Sequence, residues 1–243
     1  NGKGGNVDGF GCHPTRGSTG NIFRGCRAWF NSDDGFDCIS AHEPVIFEHC
    51  WAMKNGLAVD GSKLADGNGF KAGRYGSLPA RGLPDPIPRH VVRQCVAVGN
   101  KNSGFYANHH PGGCDWLNNT ADRNGINFNM LGRLADNRTD VDGSGHRLIN
   151  NLSLRSRFDL VRMNTTEGEL TANSFTLGLK LKPTDLVNWQ EEALLGTRSP
   201  DGSLPTVDYL HPAKESVLLD AGVDCGLPFQ GPRPDIGAFE SIP

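Results

Sequence analysis

The sequence predicts an all-β chain wound as a parallel β-helix, and three observations carry that prediction. A phrase of the form Cys-x-Ala-x-x-Asn occurs at residues 26–31, 50–55 and 95–100, with a looser copy at 119–124. A Gly-Phe pair follows the first and third copies at the same offset, as Gly35-Phe36 and Gly104-Phe105, while the second copy carries an insertion over 56–68 before Gly69-Phe70. Short apolar alternations such as Val45-Ile46-Phe47, Val91-Val92 and Leu148-Ile149 are divided by Gly and Asn, which indicates strands rather than helix pairs. Self-similarity at about two dozen residues plus loops marks a solenoid.

Each element follows from that repeat. Equivalent residues of neighbouring coils lie about 4.8 Å apart, so repeated positions become ladders. Asn31, Asn55, Asn100 and Asn124 form one column, read as an internal hydrogen-bonded stack. Cys26, Cys50 and Cys95 form another, within disulfide reach but expected to be an inert buried column, since free cysteine packs as a small hydrophobe. Toward the C-terminus, residues 184–196 have a polar start, acidic residues, apolar spacing and a glycine stop, and predict one short helix lying on the solenoid. Residues 200–243, rich in Pro, Gly and Asp, are expected to form loop and cap where open strand edges would otherwise pair with other chains. The expectation is one β-helix domain over 1–243, with 175–243 as C-terminal helix and cap. The chain opens on Asn1 and reaches a functional motif by Asp8, so N-terminal coils are expected to be missing.

Composition narrows the function. The net charge is −3 and there is no Lys/Arg run, which argues against a nucleic-acid footprint. No apolar stretch approaches the ~18 residues of a membrane span. Seven cysteines without a Cys-x-x-Cys pair disfavour a zinc or thioredoxin-type site. A monomer is expected.

With Gly-Phe as the register mark, Asp37 and Lys71 occupy one position in successive repeats, and Asp8 falls in the column of Asp34 and Asn68. Asp8, Asp33, Asp34 and Asp37 thus converge with Lys71. Four clustered carboxylates repel one another unless a cation joins them, and hard oxygen donors at flexible spacing suit Ca²⁺ better than Zn²⁺ or Mg²⁺. Beside such a cation and partly desolvated, the Lys71 ammonium is expected to be disfavoured, leaving an amine able to act as a base. A base beside a carboxylate-binding cation suits β-elimination on a uronic acid, which gives a 4,5-unsaturated sugar.

The segments 5–10 (Gly-Asn-Val-Asp-Gly-Phe), 31–37 (Asn-Ser-Asp-Asp-Gly-Phe-Asp) and 67–71 (Gly-Asn-Gly-Phe-Lys) resemble the pectate lyases and rhamnogalacturonan lyases of polysaccharide lyase family nine. The resemblance implies a right-handed parallel β-helix, calcium on Asp8, Asp33, Asp34 and Asp37, Lys71 as the base, and a pectic polysaccharide as substrate. It runs through most of the chain, to the ending at 234–240 (Pro-Asp-Ile-Gly-Ala-Phe-Glu). Family members carry several coils before the first aspartate, and here there are almost none. The stretch 102–110 is closer to the rhamnogalacturonan-cleaving branch. A secreted, periplasmic or cell-surface location goes with such a substrate.

Secondary candidates lie near the same column. Arg74 could clamp a second uronate bidentately. Tyr106 continues the Asp37, Lys71 column and could line a sugar subsite, and His109 or His110 could hydrogen-bond sugar. Trp29 and Trp51 are expected to pack rather than bind. Sequons stand at Asn118, Asn137, Asn151 and Asn164. Two other functions fit the scaffold: a glycoside hydrolase, which needs two carboxylates across the scissile bond and no lysine, and a non-catalytic carbohydrate-binding β-helix with structural calcium.

Overall fold

A computed structural model describes residues 4–76 and 82–241; residues 1–3, 77–81 and 242–243 of the expected domain and cap lie outside the described residues. The chain winds as stacked parallel coils. One coil comprises Phe36–Asp37, Val45–Glu48 and Trp51–Met53, and the next Phe70–Lys71, Val91–Arg93 and Val96–Val98. Each strand pairs in parallel with its equivalent in the neighbouring coil, which produces two six-stranded sheets and one five-stranded sheet. The expected parallel β-helix is what forms. An antiparallel hairpin, Leu131–Arg133 against Asp140–Asp142, interrupts the coil that begins at Ile126–Asn129.

Period-two alternation decides what enters the core. The phenylalanine of each Gly-Phe pair points inward, and Phe10, Phe36, Phe70, Phe105 and Phe128 stack with ring centroids 4.8–5.2 Å apart. The preceding glycine is dictated by crowding: a Cβ at Gly35 would lie 2.7 Å from the Gly69 carbonyl oxygen and 2.8 Å from Asn55 Nδ2.

The asparagine column is a hydrogen-bonded ladder, as its spacing predicts. Asn31, Asn55 and Asn100 each donate Nδ2–H to the Oδ1 of the next member at 2.8 Å, and Asn124 passes the ladder on to Asn127 at 3.0 Å. Asn100 Oδ1 also accepts the Asn55 backbone N–H at 3.1 Å, and its Nδ2 reaches the Ala52 carbonyl at 3.0 Å. Asn100→Ala is therefore expected to strand several buried polar groups and to cost at least about 3 kcal/mol, at about 1–3 kcal/mol for each unsatisfied group, read as a lower midpoint in urea unfolding. The cysteine column changes chemistry along its length. Cys50 N–H meets Cys95 Sγ at 3.4 Å, Cys95 N–H meets Asn119 Oδ1 at 3.0 Å, and Asn119 passes the ladder to Asn151 and Asn173. All seven cysteines are free thiols.

The C-terminal region departs from expectation. Instead of one helix over 184–196, two short 3₁₀ turns form at Pro183–Asp185 and Glu191–Leu195. Between them the chain is extended, bridging Leu186 to Pro212 and Asn188 to Tyr209. The tail does not simply cover the coil end but runs along the outer face of the third sheet. Leu186, Leu194, Val207, Tyr209, Leu218 and Ile236 pack there on Trp51, Met53, Val96, Val98, Leu152 and Leu154. Trp51–Met53 and Val96–Val98 are apolar on both faces, so the outer face of this sheet needs a cover. Trp51 packs as expected, whereas Trp29 is 44% exposed beneath Arg27. Three sequon asparagines, Asn118, Asn137 and Asn151, are buried.

Candidate active site

Inward phenylalanines force their neighbours outward on the first sheet. Gly11, Asp37, Lys71, Tyr106, Asn129 and Val161 are register partners in successive coils and form one outward column. The turn before it carries a second polar column: Asp8 Oδ1 accepts the Asp34 N–H at 3.0 Å, Asp34 Oδ1 the Asn68 N–H at 2.7 Å, and Asn68 Oδ1 the Ser103 N–H at 3.1 Å. These ladders fix each carboxylate by the same backbone spacing that fixes the fold. Asp33 is held from both sides, since Oδ1 accepts the Asp66 N–H at 2.9 Å and Oδ2 accepts the Asn6 N–H. The insertion at 56–68 thus returns to the site and pins a carboxylate.

Asp8, Asp33 and Asp34 each offer an oxygen within 4.8 Å of the others. Asp37, the fourth expected ligand, stands apart from this trio. Its Oδ2 lies 3.0 Å from Lys71 Nζ, and its Oδ1 accepts the Ile39 N–H at 2.7 Å. Lys71 Nζ also lies 2.7 Å from Asp34 Oδ2, so the lysine bridges the trio to Asp37.

Burial of Lys71 works against its ammonium form, but Asp34 and Asp37 outweigh burial and hold its pKa above the ordinary value. Facing only the protein's own carboxylates, the amine stays protonated. Burial pushes the Asp8, Asp34 and Asp37 carboxyls up, against backbone N–H donation to Asp8 and the Lys71 charge beside the other two. An all-oxygen, carboxylate-rich set with one neighbouring cation fits a hard divalent ion.

Tyr106 is half-buried, and burial pushes its phenol up to about 12. Its Oη shares a hydrogen bond with His109 Nδ1 at 3.3 Å, and His109 Nε2 lies 3.3 Å from Asp140 Oδ2. Arg74 sits in the left-handed region at φ 75° with its Nε buried and unbonded. It forms no ion pair among the described residues, and its charge opposes protonation of His109. His110 does not belong to the site. It is 1% exposed, bonded through Nε2 to the Pro88 carbonyl, and packed against His90 and Tyr75. Asn108 and His109 both have positive φ, and the chain turns there before His110 enters the core. The sequence reading missed Asp140 and Arg133, whose hairpin lies outside the repeat and so carries no phase signal. A cleft of about 630 Å³ lies elsewhere, lined by Arg24, His49, Arg198 and Leu204 among others, and contains none of these carboxylates.

The family model described as Pel9A-like, right handed beta helix region, matches residues 1–151. The chain belongs to this Pel9A-like family. It is thereby a right-handed β-helix of polysaccharide lyase family nine, as the motifs at 5–10, 31–37 and 67–71 imply. Pectate lyase L of Dickeya dadantii (strain 3937) is 32% identical over 237 residues, covering 96% of this chain and 51% of that protein. Among solved structures, a rhamnogalacturonan lyase is similar at 44% identity and a TM-score of 0.79, over 85% of this chain and 52% of that one. The crystal structure of pectate lyase Pel9A matches at 32% identity and the same TM-score of 0.79, over 97% of this chain and 54% of that one. The Pel9A-like chain described here spans about half the length of these relatives.

Proposed function

We propose that this β-helix carries the site of a calcium-dependent polysaccharide lyase, cleaving galacturonate-containing pectin backbone by β-elimination outside the cell or at its surface. The observation that carries the reading is Lys71, buried between a three-carboxylate cluster and Asp37, on the outward column of a sheet otherwise built to stack. The lyase names borne by relatives of this chain support the same reading.

Asp8, Asp33 and Asp34 would hold Ca²⁺, with Asp37 beside them. Bound there, the ion would take the substrate carboxylate, spread the charge that develops at C5, and neutralise the carboxylates that otherwise keep Lys71 protonated. Lys71 removes the C5 proton, and Asp37 orients its amine from 3.0 Å. Arg74, with no carboxylate partner among the described residues, would meet the charge of a neighbouring uronate. Of polygalacturonate and rhamnogalacturonan I, the second is favoured, because identity to the rhamnogalacturonan lyase is 44% against 32% for Pel9A.

The test is ultraviolet absorbance of the unsaturated product on each polymer, with Ca²⁺ and with chelator. Calcium-dependent growth of signal is expected, faster on rhamnogalacturonan I. New reducing ends without that absorbance would replace elimination with hydrolysis, and neither signal from a folded sample would leave a binding module.

A further inference from the structure

We infer that Tyr106, held in place by His109 and Asp140, is the acid that protonates the departing glycosidic oxygen. The inference rests on the lyase reading above and supplies the second proton carrier it lacks. Elimination moves two protons: Lys71 takes the C5 hydrogen as a proton, the C–H electron pair becomes the C4–C5 double bond, the C4–O4 bond breaks, and O4 takes up a proton to leave as an alcohol. Tyr106 is the register partner of Lys71 in the next coil, so the two outward side chains start about 4.8 Å apart.

Behind the Tyr106 hydroxyl stands a chain of fixed groups. His109 meets it at 3.3 Å, Asp140 meets the far side of His109 at 3.3 Å, and Arg133 holds Asp140 at 2.8 Å while also reaching the Gly76 carbonyl at 3.3 Å. The hairpin that interrupts the coil exists in the right place to deliver Asp140 and Arg133 to this point. A tyrosine that only stacked on a sugar ring needs no such support for its hydroxyl. The phenol keeps its proton at neutral pH, as an acid must. Once it has donated, the phenolate faces the Lys71 ammonium formed in the same turnover. Return of that proton from Nζ to Oη resets both groups, so the C5 proton ends on O4 and no co-reactant is consumed.

The test compares wild type, Tyr106→Phe and Lys71→Arg on the responding polymer with Ca²⁺, following both product absorbance and uptake of solvent deuterium at C5 of uncleaved substrate. Tyr106→Phe is expected to lower kcat about 100-fold, the low end of what general acid catalysis contributes, with KM within about threefold. It should still exchange the C5 hydrogen, and more exchange per cleavage than wild type is the signature of a missing acid. Lys71→Arg should neither exchange nor cleave. His109→Gln and Asp140→Asn, which alter positioning residues, should lower kcat less than Tyr106→Phe with KM unchanged. Tyr106→Phe with normal kcat, or with raised KM and normal kcat, would assign the ring to sugar stacking and overturn the proposal. Wild type without unsaturated product would overturn the lyase reading, and the proposal with it.

Discussion

Replacing Lys71 by alanine is expected to lower turnover by about 10²- to 10⁴-fold at saturating Ca²⁺, the range general base catalysis contributes. The structure adds a second effect that the sequence motif alone does not suggest. Lys71 Nζ lies 2.7 Å from Asp34 and 3.0 Å from Asp37, both buried, so alanine leaves two carboxylates without their counter-charge. Removing one partner of such a pair destabilises by about 3–5 kcal/mol. In chelator, Lys71→Ala should therefore melt well below wild type, and added Ca²⁺ should recover more of its stability than it adds to wild type. Lys71→Arg separates the two roles. Arginine keeps the positive charge but does not give it up near neutral pH, so this variant should melt like wild type and remain inactive. Near-normal turnover in either variant would falsify Lys71 as the base.

Acidification is expected to destabilise the protein below about pH 6, with three histidines buried in neutral form contributing up to about 4 kcal/mol per pH unit. Burial pushes His90 well down, with His110 beside it adding to the effect; it lowers His110 to about 4 and His146 to about 3. Their depressed folded values set the sign. Once the pH falls below the unfolded value near 6.5, the unfolded chain takes up protons that the folded chain refuses, and stability is lost until the folded values are reached. The raised carboxyls of Asp8, Asp34 and Asp37 act in the opposite sense, since the folded state then accepts protons more readily. A variant comparison isolates the histidines. His146 Nδ1 accepts the Cys114 N–H at 3.0 Å, a task an amide oxygen performs elsewhere in the stack. His146→Asn should therefore flatten the slope between pH 6.5 and 5 by about one third of the histidine contribution, measured by urea unfolding at stepped pH. An unchanged slope would mean that His146 is not held neutral.

The repeat made the coil legible because stacking turns sequence period into spatial column. The alignment of Asp37 with Lys71, and of Asp8 with Asp34 and Asn68, needed only the Gly-Phe mark, and the structure keeps both registers. What escaped was set by contacts without a period. Asp140 reaches His109 through a hairpin outside the repeat. His109 and His110 are adjacent in sequence yet part company where the backbone turns through two positive φ values. How closely Asp34 and Asp37 approach the Lys71 amine is likewise a distance the motif does not specify. The region over 184–196 looked helical from its own residues, but its apolar groups are matched to strand residues far away in the chain, and extended segments reach them better.

The tail along the third sheet has a consequence for how the molecule comes apart. A stack whose coils touch only their neighbours can melt in sections, one coil at a time from an end. Here a single segment is fastened to several coils at once. Tyr209 donates its hydroxyl to Asp122 at 2.7 Å, Arg155 grips the same carboxylate at 2.8 Å while lying over the Trp189 ring, and Glu191 pairs with Lys54 at 2.6 Å and with Arg123. The tail therefore works as a splint, so that releasing one coil strains its bonds to the others. Amide exchange across the middle coils should accordingly proceed through one shared opening event rather than a gradient.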